Sequence, residues 1–273
     1  MRTLAGRTIV ITGGSRGIGE AIAIRAGADG ANVVLLAKTV EPHPTLPGTL
    51  YTAAEAVEKA GGKALPIAVD VRFEDQVQGA IEQAVKAFGR IDALVNNASA
   101  IFLARTEDTP LKRFDLMQQV NVRATFLTTQ ACLPYLRAGD NPHVLVMSPP
   151  PRLEPAWFGA HLPYTLSKFG MSLLVLGWAE EFRREGIAFN GLWPQRSIAT
   201  AAVRNVLGGD DGIRQSRVPT IMADAAWAVL TREARATTGN FFIDEEVLRE
   251  EGVTDFDPYA VEPGQPLLED LFV

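Results

Sequence analysis

The sequence predicts an α/β protein built as a single doubly wound domain, with a seven-stranded parallel sheet flanked by helices. Three observations predict it. Short apolar runs rich in β-branched residues alternate with helix-period segments from Thr8 to Ile243. A glycine-rich turn joins the first run to the first helix, and no shift in composition interrupts the alternation before Asp244. Strands that alternate with helices form parallel sheets covered on both faces, and right-handed crossovers wind them in two directions from the centre.

The elements follow in order. Thr8 to Thr12 is short, apolar and branched, as a buried strand requires. A helix runs from about Ile18 to Asp29 and stops at Gly30, and Asn32 to Ala37 is the second strand. Glu41 to Thr49 carries Pro42, Pro44, Pro47 and Gly48 around His43 and reads as a loop. Tyr51 to Ala60 is a helix closed by Gly61-Gly62. The third strand is Ala64 to Val69, followed by a helix from Asp75 to Phe88 and a strand from Ala93 to Asn96. A helix spans Lys112 to Leu136, a strand His143 to Ser148, and a long helix Tyr164 to Glu185 with Gly186 as its stop. Ile187 to Trp193 is the sixth strand, Ala223 to Arg232 a helix and Asn240 to Ile243 the last strand. Residues 1–243 are expected to make one domain. Residues 244–273 make an acidic C-terminal extension that packs on the domain or on a neighbouring subunit.

Composition excludes several classes. The 273 residues hold 47% hydrophobic and 21% charged side chains, which is the profile of a folded chain and not a disordered one. The formal charge of −6 disfavours a nucleic-acid binder. That charge is uneven: residues 244–273 carry ten acids against Arg249 alone, a balance of −9, so residues 1–243 stand at +3. Cys132 is the one cysteine, and it sits in an apolar run as a small buried hydrophobe, which fits a reducing, cytoplasmic setting. His43, His143 and His161 are not spaced as metal ligands, and no metal site is expected. Met1 to Gly6 lacks the apolar core of a secretory signal. The longest apolar stretch, Met171 to Ala179, is too short to span a membrane.

The turn Thr12-Gly13-Gly14-Ser15-Arg16-Gly17-Ile18-Gly19 carries the first chemistry. Glycines there let the backbone turn sharply and approach a phosphate. The amides that open the next helix favour negative charge. Three more blocks recur in order: Asp70-Val71 after the third strand, Asn96-Asn97-Ala98-Ser99 after the fourth, and Tyr164-Thr165-Leu166-Ser167-Lys168 after the fifth. With its Gly-x-x-x-Gly-x-Gly spacing, the chain resembles the short-chain dehydrogenase/reductase superfamily from residue 6 to about 243. The resemblance implies a Rossmann-type fold and a nicotinamide cofactor. It implies contacts from Gly13, Ser15, Arg16, Gly17, Ile18 and Gly19, from Asp70 and Val71 to the adenine, and from Asn97 and Ala98. Trp193-Pro194-Gln195 is similar to the family's Pro-Gly after the sixth strand, which places Pro194 at the cofactor. Thr200 matches the threonine that meets the nicotinamide carboxamide.

The second strand ends Leu36-Ala37-Lys38-Thr39 without the carboxylate that selects NAD(H). Arg16 and Lys38 offer charge-assisted bonds to a 2′-phosphate, so NADP(H) is expected over NAD(H). Tyr164 and Lys168 lie at i and i+4 on one helix face. A nearby ammonium group is expected to lower the phenol's pKa, so that Tyr164 can exchange a proton with a carbonyl oxygen. By resemblance, Lys168 also holds the nicotinamide ribose and Asn121 supports a water relay behind it. The family's serine after the fifth strand is matched either by Ser148, which lies 16 residues before Tyr164, or without gaps by Pro149, which cannot donate. Residues 195–220 hold Gly208-Gly209-Asp210-Asp211-Gly212, the composition of a lid. Trp157 and Phe158 are placed to line either the core or an apolar substrate wall.

The expected activity is an NADP(H)-dependent oxidoreductase acting on a carbonyl or secondary alcohol of an apolar, lipid-like small molecule. The alternatives are a cofactor-binding homologue with weak or no catalysis and an oligomeric scaffold. The resemblance further implies a homo-dimer or homo-tetramer joined through the long helix that carries Tyr164.

Overall fold

A computed structural model describes residues 2–42 and 46–273. His43, Pro44 and Thr45, in the loop expected over Glu41 to Thr49, lie outside the described residues. Seven strands among the described residues form one sheet: β1 (Thr8–Thr12), β2 (Asn32–Ala37), β3 (Lys63–Ala68), β4 (Ala93–Asn96), β5 (His143–Val146), β6 (Ala188–Trp193) and β7 (Phe241–Ile243). They stand in the order β3-β2-β1-β4-β5-β6-β7, and every pairing is parallel. The winding reverses between β1 and β4. Beyond the carboxyl ends of these two strands the connections part and leave a crevice.

Side chains alternate across the sheet and divide the core in two. Ile9, Ile11, Val33 and Leu35 pack with residues of α1 (Gly17–Ala28), α2 (Leu50–Ala60) and α8 (Thr220–Leu230). Val10, Val34, Leu36 and Val144 pack with residues of α3 (Glu74–Phe88), α5 (Ala124–Leu136) and α6 (Pro155–Glu181). A smaller cluster of Met117, Tyr164, Phe169, Trp193, Ile243 and Phe272 stands at the carboxyl end of the sheet.

Three expectations need correction. The helix expected over Lys112 to Leu136 is divided into α4 (Leu111–Met117), a π-helical stretch (Gln118–Arg123) and α5. β5 ends at Val146 instead of Ser148, because Pro149, Pro150 and Pro151 have no amide hydrogens to extend a ladder. α6 begins at Pro155, well before Tyr164, with non-helical backbone at His161 (φ −145°, ψ 50°), and a 3₁₀ turn (Arg183–Glu185) replaces its expected end. Pro163 is tolerated there because it follows the break and opens the second segment. Two further helices, α7 (Gly209–Arg214) and α9 (Asp244–Glu250), carried no apolar period strong enough to predict.

After α9 the chain runs back over the domain. Phe256 and Tyr259 pack on the first core layer. Backbone bonds join Val218 N to Tyr259 O at 2.7 Å and Ser197 N to Leu268 O at 2.9 Å. At the centre of this contact Arg217, 7% exposed, meets Glu245, 4% exposed, at 3.0 Å and donates to Phe256 O at 2.6 Å. A buried ion that loses a partner is left less compensated, here with Arg249 alone facing Glu245. Arg217→Met is therefore expected to cost about 3 kcal/mol, read as a lowered midpoint in urea denaturation. An unchanged midpoint would show that this ion pair does not hold the extension to the domain.

Candidate active site

The site starts from the contact between the turn after β1 and the end of β4. Gly13 turns with φ +68°, and a Cβ built there would come within 2.9 Å of Ala98 Cα. A Cβ at Gly19 would come within 2.5 Å of both Gly13 O and Asn97 Nδ2. Asn97 Nδ2 donates to Thr12 O at 3.0 Å and to Gly13 O at 3.1 Å, while Asn97 N and Ala98 N both donate to Thr12 Oγ1 at 3.0 Å. α1 opens at Arg16 with no side-chain cap, so the free amides of its first turn are left for a ligand.

A cleft of ≈ 660 Å³ runs from this turn to the carboxyl end of β6. It is lined by Gly13, Ser15, Arg16, Gly17, Ile18, Lys38, Asp70, Val71, Asn97, Ala98, Tyr164, Lys168, Pro194 and Thr200, all expected from the sequence. At its outer end Arg16 Nη2 donates to Gly48 O at 3.1 Å, and Lys38 is exposed. Asp70 is clasped by Arg72, with Nε to Oδ1 at 2.9 Å, and this pairing holds its carboxyl below the usual range. Arg72 also lines the cleft, a cation the sequence reading missed because it lies one residue past the Asp70-Val71 pair.

Three expected residues do not line the cleft. Gly19 lies behind the turn. Asn121 is buried in the π-helical stretch, where its Nδ2 donates to Ala100 O at 3.0 Å and to Ser167 Oγ at 2.9 Å, and its Oδ1 accepts from Ala100 N at 2.7 Å. Ser148 is fully buried, and its Oγ has no hydrogen-bond partner among the described residues. A turn beyond the end of β5 explains this placement. Met147 lines the cleft, and Ser148 N donates back to Val146 O at 2.8 Å, which folds Ser148 away from the cleft wall.

Tyr164 and Lys168 reach the cleft from the segment of α6 that starts after the break at His161. Lys168 Nζ donates to Met147 O at 2.7 Å and lies 4.9 Å from the centre of the Trp193 ring. Burial drives its ammonium down to about 7, against the opposing pull of Asp270. The Tyr164 ring stacks on Phe272 at 6.2 Å. Burial, and after it the Asp270 charge, pushes the Tyr164 phenol up. The expected lowering by Lys168 is not found: desolvation dominates, and Lys168 is not among the groups that shift the phenol. Tyr164 is thus held as a phenol with a proton to give.

Asp270 and Leu271 complete the wall. The sequence reading did not find them, because they arrive 102 and 103 positions after Lys168 with no local motif. Among the described residues no group of three His, Cys, Asp or Glu side chains is placed to hold a metal, and no helix is long and apolar enough to cross a membrane. Burial pushes the thiol of Cys132 up, as expected of a packed and unreactive side chain.

The glycine turn, the uncapped helix and the Tyr-x-x-x-Lys pair meeting in one crevice define a dinucleotide-dependent enzyme class. The chain belongs to the short chain dehydrogenase family, which it matches over residues 7–211. It is 57% identical over 270 residues to hydroxysteroid dehydrogenase-like protein 2 of Danio rerio, covering 99% of this chain and 64% of that protein. The chain thus spans 51% to 64% of the length of the curated relatives it matches. A solved structure from Xanthomonas campestris is 56% identical with a TM-score of 0.96, covering 99% of each chain. A short chain dehydrogenase from Mycobacterium thermoresistibile is 54% identical with a TM-score of 0.94, covering 99% of this chain and 96% of that one. More distant structures hold either NADP (28% identical) or NAD (21% identical). The family is one of oxidoreductases whose fold binds nicotinamide cofactors.

The sealed hydroxyl of Ser148 gives one test. Ser148→Ala removes a buried polar group without a partner and is expected to stabilise the fold by roughly 1 kcal/mol in urea denaturation. A loss of that size would show that the hydroxyl is bonded.

Proposed function

We propose that the chain is an NADP(H)-dependent oxidoreductase of the alcohol dehydrogenase and carbonyl reductase type. It moves hydride between the nicotinamide and a carbonyl or secondary alcohol of an apolar, lipid-like molecule. The observation that carries this reading is that Tyr164 and Lys168 end in the same crevice as the glycine turn and the uncapped α1. A dinucleotide fits that turn, where a Cβ on Gly13 would strike the end of β4. When bound, the nicotinamide supplies or accepts the hydride.

The chain's own residues do the rest. The α1 amides face the pyrophosphate. Arg16 and Lys38 flank the adenosine end, and Asp70, the acid among the lining residues nearest in sequence to that end, is already neutralised by Arg72. This balance favours a 2′-phosphate. Lys168 holds the nicotinamide ribose, Thr200 and Pro194 flank the carboxamide, and Asn121 braces the loop at Ala100. Tyr164 Oη gives its proton to the carbonyl oxygen. Ile101, Leu116, Leu207, Ile213 and Leu271 supply the apolar wall. The name of the curated relatives also speaks of a hydroxysteroid, an apolar alcohol. A second reading, an NADP(H)-binding homologue with weak or no catalysis, is favoured by the sealed Ser148 alone. Cys132, sealed in the core, suits a reducing cytoplasm.

NADPH consumption with apolar ketones and fatty-acyl carbonyls separates the two readings. Tyr164→Phe is expected to lower turnover by about 10²- to 10⁴-fold with NADPH affinity retained. Arg16→Ala with Lys38→Ala is expected to erase roughly 10-fold or more of the preference for NADPH over NADH. Tight NADPH binding without turnover on any carbonyl would select the second reading.

We further propose a homo-dimer or homo-tetramer. Leu162, Leu166, Leu173 and Leu176 form one exposed apolar face of α6, beside exposed Phe126 on α5. Leu173→Glu is expected to reduce the mass measured by light scattering. A wild-type monomer would refute the assembly.

A further inference from the structure

The inner end of the cleft carries a carboxyl group from beyond the stretch that matches the family. Asp270 lines the same cleft as Tyr164 and Lys168, whereas the family match ends at residue 211. Its backbone is fixed on both sides. Ser197 N donates to Leu268 O at 2.9 Å, Asp270 N to Gln195 O at 3.3 Å, and Trp193 Nε1 to Leu271 O at 2.6 Å. Phe272 follows with φ +74°, the left-handed region that a phenylalanine rarely adopts. It persists because the rings of Trp157, Tyr164, Phe169 and Trp193 surround it at 5.3 to 6.2 Å. Asp270 Oδ1 accepts from Leu271 N at 2.8 Å, and Oδ2 has no hydrogen bond among the described residues. Meanwhile the hydroxyl of Ser148 is sealed away from solvent, and a donor to a substrate in an open cleft has to be reachable from it.

We propose that Asp270 is a catalytic residue whose Oδ2–H donates a hydrogen bond to the substrate oxygen that Tyr164 protonates, the contact for which Ser148 is out of position. This rests on the hydride-transfer reading above. In the reducing direction hydride reaches the carbonyl carbon, the π pair of the C=O bond takes the phenolic proton of Tyr164, and Asp270 keeps its own proton throughout. A carboxylic acid in this place acts as an oxyanion-hole donor, stabilising the charge that grows on the oxygen. The groups acting on Asp270 are Lys168, Tyr164 and the buried Asp244. Burial, aided by Asp244, raises its pKa to about 7 despite Lys168, so the protonated form is available at neutrality.

Two measurements on the full chain test this. In the protein alone, the titration midpoint of Lys168, followed by NMR of ¹³C-methylated lysines, is expected to fall in both Asp270→Asn and Asp270→Ala, because the carboxylate that forms as the pH rises through about 7, and that supports the Lys168 proton, is gone. An unchanged midpoint overturns the placement. With NADPH and the ketones acetophenone and undecanone as probes, Asp270→Ala is expected to lower kcat about 10²-fold with NADPH affinity unchanged, the loss typical of one oxyanion donor. Asp270→Asn keeps an N–H donor and is expected to recover most of that loss. Wild-type turnover in Asp270→Ala, or equal impairment of both variants, overturns the role. Absence of turnover by the wild-type protein refutes the hydride-transfer reading and the catalytic role with it, while the Lys168 midpoint separately decides whether Asp270 faces the site.

Discussion

Asn97 holds the ends of β1 and β4 together, and the cleft takes its shape from that clamp. Its amide bonds two carbonyls of the β1 turn, and its backbone joins Ala98 in donating to the Thr12 hydroxyl. Parallel strands that diverge at a switch point would otherwise leave these polar groups facing an open crevice without partners. Satisfying them pulls the two connections so close that only glycine fits at Gly13 and Gly19. The same tightness sets the first turn of α1 at the crevice floor, where its unbonded amides suit an anion. One local problem of hydrogen-bond supply thus determines the glycine spacing, the helix position and the ligand chemistry together.

At the other end of the cleft burial, not charge pairing, is the governing force. Tyr164 and Lys168 are both removed from water, and desolvation favours the neutral form of each. An i, i+4 pair read on a bare helix suggests an ammonium that stabilises a phenolate. In the packed cleft the ammonium is itself destabilised and spends a hydrogen bond on Met147 O. A phenol kept neutral is suited to donating a proton in the reducing direction.

The fold was legible wherever its causes are local. β1, β2 and β4 were readable to the residue because short branched apolar runs bounded by glycine or polar residues have few alternatives. The glycine turn and Tyr164-x-x-x-Lys168 were readable because their spacing is the chemistry. The position of Ser148 was not, since it depends on a turn at Met147 that follows where three prolines cut the strand short. The π-helical stretch around Asn121 escaped for a related reason, because a single extra residue per turn leaves the apolar pattern nearly unchanged. Arg72 and Asp270 escaped because their roles depend on neighbours the chain meets only after folding.

The extension gathers these threads. Much of its acidity meets the cationic body: Glu251 pairs with Arg2 and Arg232, Glu250 with Arg232, and Glu269 with Arg196. Such exposed pairs contribute little each. The buried acids behave differently. Glu245 has Arg217 and Arg249 as partners, whereas Asp270 has its proton affinity raised by the nearby charge of Asp244. Asp244 Oδ1 accepts two amide bonds, from Gln195 and Glu245, while its Oδ2 is buried without a partner among the described residues. Asp270 receives one amide bond, from Leu271, and faces the cleft. A half-buried carboxyl with so few partners lowers the stability of the fold compared with an apolar side chain of the same size. Packing therefore gives no reason for an acid at this position, whereas the proposed donor to the substrate oxygen would.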